Sequence, residues 1–114
     1  MAAITDALTR HHDVIRDLLA KTMEDRSHFE ALRNHLTVHH KNEETYLYDL
    51  LEQMDRTSHG ALEAVEEHHV IEMLLQELDN FPRDHEGWMI KLAVFGEYTR
   101  HHLEEEEEEV FPEV

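Results

Sequence analysis

The stretch FEALRNHLTVHHKNEETYLYDL, residues 29–50, decides the fold. Phe29, Leu32, Leu36, His39, Glu43, Tyr46 and Leu50 recur in it at alternating spacings of three and four, the period of one helix face packed in a bundle. Midway along, the apolar seam gives way to a histidine and, one helical turn later, a glutamate. His39 and Glu43 are therefore expected to face the core. His40 shares a stripe with Arg33, Thr37 and Glu44 and is expected to face solvent.

The same plan recurs 63 residues later. That offset superposes Phe29 on Leu92, Leu32 on Phe95, His39 on His102, Glu43 on Glu106, Leu47 on Val110 and Tyr48 on Phe111. Leu92, Phe95, Thr99, His102, Glu106 and Glu109 form the second seam, and His101 falls outside it with Glu97, Glu105 and Glu108. A second offset, of 56 residues, superposes His12 on His68, Ile15 on Ile71 and Leu18-Leu19 on Leu74-Leu75. Periodicity alone does not separate His11 from His12, because Leu8 and Ile15 serve either. The repeat selects His12, and His68 has Ala64, Ile71, Leu75 and Leu78 on its own face. Each of four helical stretches thus carries a His-His pair with one member pointing inward.

Gly and Pro punctuate the chain at Gly60, Pro82 and Pro112. Four helices follow, at about 5–21, 27–54, 61–78 and 85–110. Ser27 with Glu30 has the form of a capping box, and Asp84 stands as an N-cap. No stretch alternates as a strand does. The fold class is all-α, a four-helix bundle with a metal centre in its core, and residues 1–114 are read as one domain.

With 27 acidic against 10 basic residues and a formal net charge of −17, the chain should repel nucleic acid and anionic membranes and attract cations. It has no cysteine, which excludes disulfides, iron–sulfur clusters, thiolate zinc and thiol catalysis. No apolar run approaches the roughly 20 residues of a membrane span, and Met1 to Arg10 lacks the features of a signal peptide. A soluble, cytoplasmic protein is expected, with no nucleic-acid or membrane partner and with room for a homo-oligomer.

Two inward glutamates among four inward histidines call for a cation, since a buried, unpaired carboxylate costs several kcal/mol. Four imidazoles and two carboxylates exceed one tetrahedral ion and suit two, each held by two histidines with the carboxylates bridging. Mixed His/carboxylate donors with open positions favour iron over zinc. Glu72, one turn after His68, is read as a solvated charge. Tyr46, Tyr48 and Tyr98 are read as packing residues, and Met23, Met54, Met73 and Met89 as fillers of core gaps.

Four segments carry a resemblance: residues 12–19, His39-x-x-x-Glu43 continuing to Tyr48, residues 67–71, and His102-x-x-x-Glu106 continuing to Pro112. In the order His, His-Glu, His, His-Glu, the chain resembles the hemerythrin-like, or HHE cation-binding, domains over nearly its whole length. The resemblance implies an up-down-up-down bundle around a non-haem di-iron pair, oxo- or hydroxo-bridged. It implies the ligands His12, His39, Glu43, His68, His102 and Glu106. It further implies a small ligand, dioxygen, nitric oxide or peroxide, bound for sensing, delivery or detoxification. Alternatives are a peroxide-consuming, catalase- or peroxidase-like enzyme and an iron or metal buffer. The family's oxygen carriers have a second third-helix histidine and a fourth-helix aspartate. This chain has Glu72 and Glu106 at the comparable places, which points away from oxygen carriage.

Overall fold

The computed structural model describes residues 2–114, and among them it contains four long helices and no strand. α1 is Ala2–Glu24, α2 spans 29–52, α3 is Ser58–Asn80 and α4 spans 86–113. α1 packs on α2, α2 on α3, α3 on α4, and α4 back on α1, which closes an up-down-up-down bundle of 46 × 22 × 20 Å. No helix among the described residues is long and apolar enough to cross a membrane.

Local chemistry sets the helix ends, in places differently from expectation. Asp25, rather than Ser27, caps the turn before α2: its carboxylate accepts from the Ser27 N–H at 3.0 Å, and no Ser27/Glu30 capping box forms. The His85 ring nitrogen, rather than Asp84, accepts from the Gly87 N–H at 2.9 Å where α4 begins. Gly60 lies inside the first turn of α3 instead of before it. A glycine in a helix costs only about 1 kcal/mol, and the buried face Ala61, Ala64, His68, Ile71, Leu75 and Leu78 outweighs that.

α2 and α4 each contain one π-helical turn, Glu44–Tyr48 and Glu106–Val110. A π turn takes up one extra residue and so advances the buried face by one position. The expected seam therefore holds as far as Glu43 and then fails. Tyr46 and Leu50 are 64% and 46% exposed, while Leu47 and Tyr48 are fully buried and Leu51 is 2% exposed. Glu109 likewise faces outward and Phe111 takes the inward place.

The core is split into two apolar clusters. One, toward the α1–α2 and α3–α4 connections, gathers Ile15, Leu19, Phe29, Leu32, Ile71, Trp88 and Phe95 among others. Phe29 meets Trp88 edge-on at 5.2 Å, and the Trp88 indole N–H donates to the Leu78 carbonyl at 2.9 Å. The second, toward the opposite end, gathers Leu8, Leu47, Tyr48, Leu51, Ala61, Ala64 and Phe111. Large side chains buried in this way contribute about 1.5–3 kcal/mol each. Met89 packs against the first cluster, but Met23, Met54 and Met73 are exposed and fill no gap. Between the two clusters lies a buried band of histidine and glutamate.

Candidate metal centre

Every helix contributes to that band: His12 from α1, His39, His40 and Glu43 from α2, His68 from α3, and His102 and Glu106 from α4, each no more than 1% exposed. Their donor atoms form two groups. His12, His39, Glu43 and Glu106 make one, and His40, Glu43, His68 and His102 make the other, with the atoms of each group within 4.8 Å of one another. Glu43 belongs to both. Its Oε2 lies 3.0 Å from His39 Nε2 and 3.6 Å from His12 Nε2, whereas its Oε1 lies 3.1 Å from His68 Nε2. Glu106 belongs to the first group alone, but its single Oε1 lies 3.2 Å from His12 Nε2 and 3.4 Å from His102 Nε2 of the second.

These approaches lack hydrogen-bond geometry. Nine buried donor or acceptor atoms on the seven residues have no hydrogen-bond partner: Nε2 of His12, His39, His68 and His102, both ring nitrogens of His40, both oxygens of Glu43, and Oε1 of Glu106. Each unsatisfied polar atom in a dry interior costs about 1–3 kcal/mol. A cation set between the nitrogens and the carboxylates satisfies them together, and neutral imidazoles with carboxylates suit a transition metal.

The opposite edges of the imidazoles are well partnered. His12 Nδ1 meets Glu107 at 2.6 Å, His68 Nδ1 meets Glu44 at 2.8 Å, and His102 Nδ1 meets Glu67 at 2.7 Å. A carboxylate behind an imidazole fixes the ring and aims its other nitrogen at a metal. His39 is the exception, because its Nδ1 lies 2.9 Å from His11 Nδ1, and His11 Nε2 lies 3.0 Å from His35 Nδ1. With a metal on His39 Nε2, the ring N–H would sit on Nδ1 and donate to His11, whose own N–H would then donate to His35.

Without a metal, protons hold the carboxylates in place. Burial alone would lower the histidines, but the Glu106 and Glu43 carboxylates outweigh it and push both His12 and His68 up to about 10. For His102 burial is again outweighed, chiefly by Glu106, and the ring is raised to about 9. Burial and the neighbouring Glu106 charge oppose ionisation of Glu43, yet His12, His39 and His68 carry it down to about 2. His40 behaves in the opposite sense: burial, then the adjoining His68, hold it well below its ordinary value, so it is a neutral imidazole. Tyr48 is kept protonated by burial and by the Glu106 charge, and its hydroxyl donates to Glu106 Oε2.

The six residues selected from sequence thus converge, and His11, His69 and His101 lie outside the two donor groups. Glu72 is exposed, in keeping with a solvated charge. Two readings are corrected. Tyr48 does more than pack, since it bonds Glu106. His40 is 1% exposed and stacks on His68 with ring centroids 3.8 Å apart, rather than facing solvent. At roughly 100° per residue His39 stands about 60° to one side of Leu36 and His40 about 40° to the other, so both fit within one broad buried face. The 63-residue repeat held the missing signal: it pairs His40 with Leu103, which is a fully buried core residue.

No curated protein and no solved structure is matched by the chain. The profile described as the hemerythrin HHE cation binding domain matches residues 3–114. With a buried His/Glu band between four antiparallel helices and a match across nearly its full length, the chain belongs to the hemerythrin HHE cation-binding family.

Proposed function

We propose that the chain holds two iron ions, one among His12, His39, Glu43 and Glu106 and the other among His40, Glu43, His68 and His102, and there binds dioxygen or a related small ligand such as nitric oxide or peroxide. The observation that carries this reading is the set of nine unpartnered donor atoms on seven buried side chains, with the two oxygens of Glu43 turned to different groups. Iron in such a site supplies Lewis acidity and reversible electron transfer.

The protein's own part is positional. Glu107, Glu44 and Glu67 fix the rings of His12, His68 and His102. Tyr48 holds one oxygen of Glu106 and leaves the other for the centre. The two apolar clusters lie on either side of the band. The burial of all seven side chains favours a small ligand over a large one.

The test is metal content followed by spectroscopy. Protein expressed with iron is expected to carry two ions per chain and to show a visible band that comes with oxygen or nitric oxide and goes on its removal. A chain that takes up no iron removes the proposal. A loaded chain whose spectrum ignores both gases but which consumes peroxide transfers the assignment to the peroxide-consuming alternative.

A further inference from the structure

Beside the centre, a cleft of about 470 Å³ opens between the start of α3 and the end of α4. We infer that this cleft is the port through which divalent cations enter, an inference that rests on the metal-centre reading above. Its lining carries six glutamates, Glu63, Glu67, Glu105, Glu106, Glu109 and Glu113, against one arginine, Arg56. A concave wall of one charge sign focuses the field and raises the local cation concentration beyond what net charge alone provides.

Charge alone does not make a port, and here the wall joins the centre at two points. Glu106 lines the cleft and also belongs to the donor group, with a buried Oε1 that has no hydrogen-bond partner. Glu67 lines the cleft and receives His102 Nδ1 at 2.7 Å. Carboxylates thus stand at the exposed edge of the cleft and on its inner wall, with Leu51, Ala61, Ala64 and Val110 lining it between them. At the mouth, His59 and Glu63 stand one turn apart with Nε2 and Oε2 separated by 3.6 Å, both largely exposed. Glu105 and Glu109 line the same cleft, and among the lining residues Glu106 alone belongs to a donor group. Arg56 is tied to Glu113, by contacts of 3.3 Å to its carboxylate and 3.0 Å to its carbonyl, and so stands at the rim as the one opposing charge among the lining residues.

The measurement is the rate of Co²⁺ uptake by the metal-free full chain, followed by stopped-flow visible absorption at low and at physiological salt. A Glu63→Gln/Glu109→Gln variant neutralises two exposed cleft residues outside the donor groups. Its control, Asp6→Asn/Glu97→Gln, removes the same charge from exposed positions outside the cleft. The cleft variant should load about three- to tenfold more slowly at low salt and lose much of its salt dependence, while the control changes by less than about twofold. Arg56→Gln should load faster than the parent chain. All variants should reach the same final number of ions. Equal loading rates for the cleft and control variants would overturn the port while leaving the centre intact. A parent chain that binds no Co²⁺ at all would overturn the centre and the port with it.

Discussion

α2 and α4 are two versions of one design, and the places where they disagree are more informative than those where they agree. Both carry His-x-x-x-Glu, both follow it with a π turn, and both end on a buried aromatic, Tyr48 or Phe111. Support from outside the donor groups obeys the same symmetry, since Glu44 behind His68 corresponds to Glu107 behind His12. Two positions break it. Where α2 has His40, α4 has Leu103, equally buried and apolar. Where α3 places Glu67 behind His102, α1 places His11 behind His39. The first break gives one donor group three imidazoles and the other two. The second gives one imidazole a neutral neighbour in place of a carboxylate, with His11 held down at about 4 by partial burial and then by the adjoining His39. Together they make the two ions of the proposed pair chemically unequal.

The largest effect should come from the group both halves share. Glu43→Ala removes the one residue common to both donor groups, and metal affinity should fall by more than about 100-fold, beyond the roughly 10- to 100-fold seen for supporting residues. Metal content after dialysis against a weak chelator is the check. Retention of two ions would show that Glu43 does not bridge.

His40→Leu makes α2 a copy of α4 at the position of the first break. It should weaken one ion by about tenfold or more and leave the other unchanged, a split that calorimetric titration resolves. The metal-free variant should gain about 1–3 kcal/mol, because two unsatisfied ring nitrogens are replaced by an apolar group. Opposite signs in the loaded and metal-free proteins identify a ligand. A loss of stability in both would mark His40 as mere packing.

His11→Glu removes the second break. A carboxylate behind His39 raises the basicity of its ring, so affinity at that group should rise by up to about tenfold, while Glu67→Gln should lower it at the other group by about tenfold. Competition against a chromophoric chelator measures both, and matching shifts in the two variants would refute the assignment of His11 as the odd member.

The metal-free chain is also sensitive to pH. His12, His68 and His102 are raised from 6.5 to about 10, 10 and 9, so the stability they contribute is complete below about pH 6.5 and is lost as pH climbs through 9 to 10. Glu43, lowered from 4.5 to about 2, acts in the reverse sense and loses its contribution as pH falls through that interval. Melting temperatures of the chelated protein should therefore decline from neutral to alkaline pH. Those of the loaded protein should decline less, because metal requires the deprotonated rings.

Sequence periodicity, with the internal repeat that selects His12 over His11, revealed the four helices and six of the seven converging residues because, from Phe29 to Glu43 and from Leu92 to Glu106, the backbone keeps ordinary α-helical pitch. It misplaced Tyr46, Leu50 and Glu109 because each lies beyond a point where a π turn adds a residue, a change of pitch that no local residue type announces. His40 was missed for a different reason. A buried face more than 100° wide accommodates two adjacent residues, one at each edge, and an imidazole beside Arg33 and Glu44 looks solvated until α3 is seen lying against it. The pairing of His11 with His39 and that of Glu67 with His102 lie outside any single-helix pattern, since each joins neighbouring helices through short side chains.

The split core carries a consequence for how the molecule comes apart. With a polar band interposed, the cluster around Trp88 and the cluster around Tyr48 share few direct apolar contacts, and their mutual support passes through whatever neutralises the band. Filled with cations, the band acts as a cross-brace that makes both ends open together. Stripped of them, the ends are free to open separately, so amide exchange on the Ala61–Ala64 side should quicken ahead of that around Phe29 and Leu92, whereas in the loaded protein the two should keep pace.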